Sequence, residues 1–312
     1  MPVSLLRLVL LALTLAFPGF AVAAPSVAAP PLVDVAWLLQ HLSDPNLVIL
    51  DVYDDADRSE FTAGHIPGAL FTDFHGEGWL AKVGSAPGML PPPNQAAKII
   101  GRFGVDNRSH VVVVPGGHDH ADFNAAARIY WTFKAFGDDN VSILDGGDKA
   151  WFADTSAPVA TGANRAEPRT FVAHFRPGYL ATRAEVKVEL KTHRAQLVDA
   201  RPSAQYEGSA KSPAVRVAGT LPGAINVPAE SLISSDGTRL LDRVALDSML
   251  AKAGVNPGAK QISFCNTGHL ASGTWFVLRE VEGNPNVKLY PGSMSDWTSD
   301  IKLPVVNGPG HG

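Results

Sequence analysis

The chain contains one succession of short motifs twice, and this internal repeat limits its possible folds more than any other feature of the sequence. In each half, an apolar run that ends in an acid precedes a Pro-Gly-Ala turn, a second apolar run, a helical stretch and a closing Gly-x4-Trp motif. The matched segments, with the earlier copy first, are 47–51 and 196–199, 64–69 and 219–224, 111–114 and 261–264, 125–136 and 271–281, 140–144 and 286–290, and 146–151 and 292–297. This order predicts two copies of one structural unit.

Short apolar runs that alternate with helical stretches predict an α/β fold in each copy, with a mainly parallel sheet and helices on both faces. A length of 312 residues fits two such domains of about 150 residues each. We place the first domain at 32–157 and the second at 178–305. The segment 158–177, rich in Pro, Ala, Arg and Thr, is the predicted linker, and we expect it to cross the surface from one domain to the other.

The N-terminus has the pattern of a secretory signal peptide. Arg7 stands in an apolar run over 5–20, and small residues suited to cleavage follow. A membrane anchor is the alternative, but the run is shorter than about 20 residues and contains Pro18. We therefore predict a signal peptide at 1–23 and a tether rich in Ala and Pro at 24–31. The mature protein is expected to be periplasmic or secreted, with no membrane contact after cleavage.

The charge distribution excludes nucleic acid as a partner. The net charge is −4, and Lys and Arg form no run that could neutralise a line of phosphates. With 46% hydrophobic and 18% charged residues, the chain has the composition of a globular protein rather than a disordered one.

The sequence has a single cysteine, Cys265, which cannot form an internal disulfide in an oxidising compartment. One interpretation is an inert cysteine that packs as a small apolar residue. The surrounding sequence favours a nucleophile, because the strand predicted at 261–264 ends at this cysteine and ligands bind at the carboxyl edge of open parallel sheets. A turn that contains a glycine then leads into the helix predicted from Ala271.

Consecutive backbone N–H groups in such a turn, at the N-terminus of a helix, form an anion-binding nest. We predict that the nest stabilises the Cys265 thiolate and then a persulfide anion, which makes Cys265 the catalytic residue. The predicted substrate-binding cradle consists of Asn266, Thr267, Gly268, His269 and Leu270. This chemistry requires no metal and no organic cofactor.

A cysteine phosphatase is disfavoured. Its Cys-x5-Arg loop would need an arginine at position 271 to bind phosphate bidentately, and the residue there is Ala271. The first copy lacks a nucleophile as well, because alignment of the strands places Pro115 opposite Cys265. We expect the first copy to form one wall of the cleft and to cover the persulfide.

Several of these motifs together resemble a known family. Asp199-Ala200-Arg201, the Gly-x-x-Pro-Gly-Ala turns, the Cys-x-x-Gly-x-x-Ala of 265–271 and the closing Gly-x4-Trp are similar to motifs of tandem rhodanese-domain sulfurtransferases, which include thiosulfate and 3-mercaptopyruvate sulfurtransferases. The resemblance implies two rhodanese-like domains, of which the second is active. It also implies transfer of sulfane sulfur from a small-molecule donor to a thiol or cyanide acceptor through a persulfide, with a protein as a further possible sulfur acceptor.

The loop departs from the best-known members of that family at positions that concern the donor. Thiosulfate enzymes often carry cationic residues here and mercaptopyruvate enzymes resemble Cys-Gly-Ser-Gly, whereas Asn266, Thr267 and His269 are neutral or weakly basic. A position that is often arginine in the family is Gln205. Thiosulfate is preferred because it is a small, stable donor outside the cytoplasm, and 3-mercaptopyruvate stays open.

Two side chains have alternative roles on the sequence alone. Arg201 either contributes positive potential at the cleft and binds substrate, or pairs with an acid such as Glu207 to brace the loop. His269 either tunes the persulfide and binds a donor oxyanion or faces solvent, since its two protonation states are close in energy at about pH 6 to 7. The His-Asp-His sequence at 118–120 suggests a metal site, but adjacent residues rarely converge on one ion, so we predict none.

Two function classes other than an enzyme also use a reactive cysteine. A persulfide carrier or binding module with little free turnover would keep the same cysteine and loop, so turnover kinetics are needed to separate it from an enzyme. A thiol redox sensor would need a resolving cysteine, which this sequence lacks. The prediction is therefore a sulfurtransferase, with the carrier as the alternative.

Overall fold

A computed structural model describes residues 30–54, 57–237 and 239–308. The predicted signal peptide at 1–23 and nearly all of the predicted tether at 24–31 lie outside these residues, so both stay predictions. Within the described ranges, each helix is too short or too polar to cross a bilayer.

The first domain has a parallel sheet and a separate hairpin. Its strands are β1 (Leu32–Val33), β2 (Leu47–Tyr53), β3 (Leu70–Asp73), β4 (Ala81–Val83), β5 (Ala86–Met89), β6 (His110–Pro115) and β7 (Val141–Leu144). Its helices are α1 (Val35–His41), α2 (Ser59–Ala63), α3 (Pro93–Arg102), α4 (His120–Ala135) and α5 (Gly147–Ala153). Five strands pair in parallel in the order β1-β7-β6-β2-β3, while β4 and β5 form an antiparallel hairpin.

Successive residues of the central strands enter different cores. In β2, Ile49 packs with residues of α1, α2 and α5, whereas Leu50 packs on the other face with residues of α3 and α4. Val112 and Val113 of β6 alternate in the same way. An uninterrupted apolar strand is stable when helices cover both faces of its sheet, and the prediction of such an α/β unit is confirmed.

The second domain repeats this arrangement with a smaller sheet. Its strands are β8 (Ala195–Asp199), β9 (Ile225–Asn226), β10 (Lys260–Phe264) and β11 (Val287–Leu289). Its helices are α6 (Arg183–Thr192), α7 (Ser203–Tyr206), α8 (Arg243–Lys252), α9 (Leu270–Phe276) and α10 (Ser293–Trp297). The four strands are parallel in the order β11-β10-β8-β9, with α6, α7 and α10 on one face and α8 and α9 on the other.

The segment 158–177 runs along the surface of the first domain. The N–H of Arg169 donates to the carbonyl of Gly101 in α3 at 2.9 Å, and the N–H of His174 donates to the carbonyl of Phe136, just after α4, at 2.8 Å. These bonds hold the segment against the first domain along its path to the second.

Helices α4 and α9 join the two domains through one continuous core. The ring centroid of Phe276 on α9 lies 5.0 Å from that of Tyr130 and 5.7 Å from that of Phe123, both on α4. A Cβ added at Gly273 of α9 would lie 1.9 Å from Oδ1 of Asn124 on α4, so glycine permits this close approach. The start of α9, where the cysteine loop ends, is therefore held against the first domain.

Candidate active site

The loop 265–269 connects β10 to α9 at the carboxyl edge of the second sheet. Because β10 ends at Phe264, Cys265 is the first residue beyond that strand. The carbonyl of Cys265 accepts a hydrogen bond from the N–H of Met294 in α10 at 3.0 Å. The carbonyl of Asn266 accepts one from the same helix at 2.9 Å. These bonds fix the first part of the loop relative to α10.

The thiol of Cys265 is buried but has polar neighbours. The residue is 1% exposed, and its Sγ lies 3.1 Å from the backbone nitrogen of Gly268, which donates to it. Gly268 has φ +82°, and a Cβ there would lie 2.6 Å from the carbonyl oxygen of Pro291, so this turn requires glycine. A donor aimed at the sulfur favours the nucleophile over the inert, apolar-packed cysteine.

The other loop amides are available as donors. In the part of the chain that the structure describes, the N–H groups of Asn266, Thr267, His269 and Leu270 donate to no protein acceptor. One amide of the predicted cradle, that of Gly268, thus contacts Sγ. The other four stay predicted ligands for the outer sulfur of a persulfide.

Ser293 is a site residue that the sequence analysis missed. Its Oγ accepts the N–H of Cys265 at 3.0 Å, donates to the carbonyl of Tyr290 at 2.8 Å and lies 4.0 Å from Sγ. Its φ of 50° is in the left-handed region, which costs a non-glycine residue roughly 1–3 kcal/mol. Gly147, with φ 54°, occupies the matching position of the first copy. The change from glycine to serine in the copy with the cysteine was the available signal.

His269 is packed against the first domain rather than facing solvent. Its Nε2 lies 3.0 Å from the carbonyl oxygen of Ala121, and its ring centroid lies 5.0 Å from that of Phe74. Burial lowers the pKa of His269 to about 4, so the ring is neutral at neutral pH and Nε2–H donates to Ala121. A neutral ring bound in this way brings no positive charge to a donor oxyanion.

The remaining loop residues contact neighbouring elements. The side-chain amide of Asn266 donates to Oε1 of Gln205 at 2.9 Å, so the residue at the position that is often arginine in the family bonds to the loop. Leu270 begins α9 and packs against the core that both domains share. A Cβ on Gly88 in β5 would lie 1.8 Å from the carbonyl oxygen of Thr267, so the hairpin covers the loop in close contact. The first copy was expected to cover the persulfide, and the structure adds that the hairpin is the segment in contact with the loop.

Arg201 makes the contacts expected of the bracing alternative, and its assignment to substrate binding stays a prediction. The residue is 1% exposed, and its Nε and Nη2 donate to the two carboxylate oxygens of Asp199 at 2.9 and 2.6 Å. Nη2 also donates to the carbonyl of Gly219 at 2.8 Å, which ties the end of β8 to the Pro-Gly-Ala turn. Its acid partner is Asp199 and not Glu207, because these bonds occupy the guanidinium at the strand end.

Comparison with known proteins identifies the family. Two stretches of the chain, 34–154 and 182–300, each match the family described as Rhodanese-like domain. The chain belongs to the rhodanese family. The first stretch contains the strands of the first parallel sheet except β1, and the second contains the whole second sheet and Cys265 with its loop.

Full-length relatives of this rhodanese carry two different names. A 3-mercaptopyruvate sulfurtransferase of Escherichia coli (strain K12) is 32% identical over 277 residues, which cover 86% of this chain and 95% of that protein. A protein named putative thiosulfate sulfurtransferase 1, of Mycobacterium bovis, is 31% identical over 298 residues, 89% of this chain and 98% of that one. The relatives are thus similar to this chain over nearly their whole length but are named for different substrates.

Solved structures agree on the fold. The crystal structure of SseA from Escherichia coli, described as showing the "Rhodanese" fold of 3-mercaptopyruvate sulfotransferases, superposes with a TM-score of 0.74 at 29% identity, over 85% of this chain and 99% of that one. An anaerobic ergothioneine biosynthesis enzyme from Chlorobium limicola gives a TM-score of 0.77 at 22% identity, over 89% and 70% of the two chains. The second likeness shows the fold alone.

The first rhodanese domain has different groups at its matching edge. Pro115, the last residue of β6, stands in place of Cys265. A Cβ at Gly147 would lie 1.9 Å from the carbonyl oxygen of Pro115, so no side chain fits there. His118 bonds to Asp122 at 3.2 Å through Nδ1, and this pair occupies the loop where the second domain has its cysteine turn.

Proposed function

We propose that this rhodanese is a sulfurtransferase that moves sulfane sulfur from a small donor such as thiosulfate to a thiophilic acceptor through a persulfide on Cys265. The observation that carries the proposal is the single cysteine at the end of β10 with the N–H of Gly268 directed at its sulfur, 3.1 Å away. Relatives named as sulfurtransferases, similar over nearly the whole chain, support it.

The proposed cycle has two displacements and needs no cofactor. The Cys265 thiolate attacks the outer sulfur of thiosulfate, the S–S bond of the donor breaks, and sulfite leaves with the bonding electron pair. The persulfide anion Cys–S–S⁻ is then held by the loop amides. Cyanide or a thiolate then attacks the outer sulfur, and the S–S bond of the persulfide breaks. The products are thiocyanate or a new persulfide, and Cys265 returns to its thiolate form.

Thiosulfate is proposed as the donor because it is small and stable outside the cytoplasm, whereas the loop lacks a cation for the charged group of either donor. A substrate carboxylate is bound best by the fork of an arginine, but Arg201 is paired with Asp199 and His269 is neutral. No described side chain of the loop 265–270 is cationic at neutral pH. The terminal sulfur of thiosulfate needs only backbone N–H donors once it is transferred.

Turnover with the two donors tests this proposal. The purified chain is incubated with thiosulfate or with 3-mercaptopyruvate, cyanide is added, and thiocyanate is followed together with the intact mass. We expect kcat/KM to be higher with thiosulfate than with 3-mercaptopyruvate. A preference for 3-mercaptopyruvate would reverse the choice of donor.

A persulfide carrier is the second candidate, because Cys265 is buried and a protein could receive its sulfur. Its signature in the same experiment is one added sulfur atom per chain with negligible thiocyanate from either donor. That outcome would reject the enzyme and support transfer to a protein acceptor.

We further propose that the protein is exported and acts in the periplasm or outside the cell. The support is the apolar run over 5–20 followed by small residues. When the full sequence is expressed in a Gram-negative host, N-terminal sequencing of the periplasmic fraction should begin just after residue 23 or 24. A cytoplasmic protein that keeps Met1 would contradict export.

A further inference from the structure

Arg128 of the first domain reaches the active-site loop of the second. It lies in α4 and is fully buried at the junction of the domains. Its Nη1 donates to the carbonyl of Gly268 at 3.1 Å and its Nη2 to the carbonyl of Gly88 in the hairpin at 2.7 Å. The guanidinium also lies over the ring of Trp131, 4.7 Å from the centroid. One side chain thus joins α4, the hairpin and the loop.

Arg128 bonds to the carbonyl of Gly268, the residue whose N–H contacts the sulfur. Gly268 donates its N–H to Sγ of Cys265, while its carbonyl accepts Nη1 of Arg128 and, at 2.8 Å, Oγ of Ser272. Both sides of this residue are therefore fixed. Loss of the guanidinium would free the carbonyl on one side and let the N–H turn away from the sulfur.

Among the described residues, the guanidinium of Arg128 has no carboxylate partner. Its bonds go to carbonyl groups, and its Nε has no acceptor in the described part of the chain. Burial lowers the pKa of Arg128 to about 10, and a negative charge on Cys265 would act in the opposite direction. His269 faces the same guanidinium but is neutral. A buried cation without an anion destabilises the native state. Ionisation of the Cys265 sulfur would supply the missing negative charge.

We propose that Arg128 is a positioning residue: it is the counter-ion of the anionic sulfur at Cys265, and it fixes Gly268, whose N–H contacts this sulfur. The first domain then supplies a charged group to a site whose nucleophile lies in the second. The consequence for a persulfide rests on the proposed function, whereas the resting thiolate can be measured without it.

The pH dependence of Cys265 alkylation tests the inference on the full chain without any sulfur donor. Iodoacetamide reacts with the thiolate, so the rate against pH reports its formation. We expect Arg128→Gln to move the midpoint up by about one pH unit and to slow alkylation near neutral pH about tenfold. Arg128→Lys keeps the charge and should shift the midpoint less than half as far. The control Tyr130→Phe, in the same helix and interface, should leave it unchanged.

Two results would overturn the inference: a wild-type midpoint in Arg128→Gln, or an equal shift in the Lys and Gln variants. A chain with the expected shifts that forms no thiocyanate would reject the proposed function and leave the role of Arg128 intact. The two failures are therefore distinguishable.

A second measurement leaves Arg128 in place, so it does not depend on the folding of its variants. If the native state stabilises the Cys265 thiolate, it binds fewer protons than the unfolded chain as the pH rises. The free energy of unfolding of the wild type should then increase relative to Cys265→Ala between about pH 6 and pH 8. A difference that does not change with pH would contradict the counter-ion role.

Discussion

Replacing Cys265 by serine should lower thiocyanate formation from thiosulfate by at least about a thousandfold. The hydroxyl stays protonated at neutral pH and cannot form the S–S bond of a persulfide, although the loop and its donors are unchanged. Because the sequence has one cysteine, the intact mass of the wild type must gain one sulfur atom at this residue, and the variant must gain none.

A matched control tests whether activity requires a thiol at the position of Cys265 or only a thiol somewhere in the chain. Ser209 is exposed and lies outside the loop. Adding Ser209→Cys to the Cys265→Ser variant returns one thiol to the chain without the N–H of Gly268 beside it. We expect no recovery of turnover. Retained activity in Cys265→Ser, or recovery in the double variant, would reject the loop as the seat of the chemistry.

Features that depend on local sequence were predictable. The apolar runs ending at Asp51 and Asp199 became the strands β2 and β8, because an uninterrupted apolar run is stable where helices cover both faces of a sheet. The repeat also located Pro115 opposite Cys265, and the sheet registers agree, since Asp51 pairs with Val114 and Asp199 with Phe264. The pattern therefore identified the cysteine and its loop.

Features that depend on contacts between the domains were not predictable. Arg128 looks like an ordinary cation in a helical stretch, and Gly88 lies in a hairpin between two helices of the other domain. Their contacts with the loop join residues far apart in sequence, 140 positions in the case of Arg128 and Gly268. The repeat predicted that the first copy covers the site, but periodicity and turn motifs carry no information on how two domains dock, so the covering hairpin and the counter-ion required the structure.

The repeat also places one aspartate at the matching position of β2 and β8, with different surroundings. Asp199 bonds to Arg201 and accepts the hydroxyl of Thr220 at 2.6 Å. Asp51 is fully buried, and neither of its carboxyl oxygens accepts an N–H from the described residues. Tyr53 stands at the position that Arg201 occupies in the second copy. The first domain therefore keeps the acid without its cation.

Asp51 instead lies beside Asp148, and this buried pair of carboxyl groups keeps a proton at pH values at which an exposed carboxyl group is ionised. Burial raises the pKa of Asp51 well above its usual range, and the charge of Asp148 raises it further. Burial also raises the pKa of Asp148, to about 7. The native domain thus retains protons that the unfolded chain releases above about pH 4. The contribution of this pair to the free energy of unfolding is most favourable below that pH. It falls as the pH rises toward the pKa values of the native pair.

The same change, aspartate to asparagine, should consequently have opposite effects in the two domains. Asp199→Asn leaves Arg201 buried without a carboxylate and should lower the free energy of unfolding by about 3 kcal/mol. Asp51→Asn removes the cost of a buried acid and should raise the free energy of unfolding by about 2 kcal/mol at about pH 8, with a smaller gain at about pH 4.5. Urea unfolding at both pH values measures this, with the exposed Asp44→Asn as a control for net charge. A lower free energy of unfolding in Asp51→Asn at the higher pH would contradict the prediction, because it would show that the Asp51 carboxyl group stabilises the native domain.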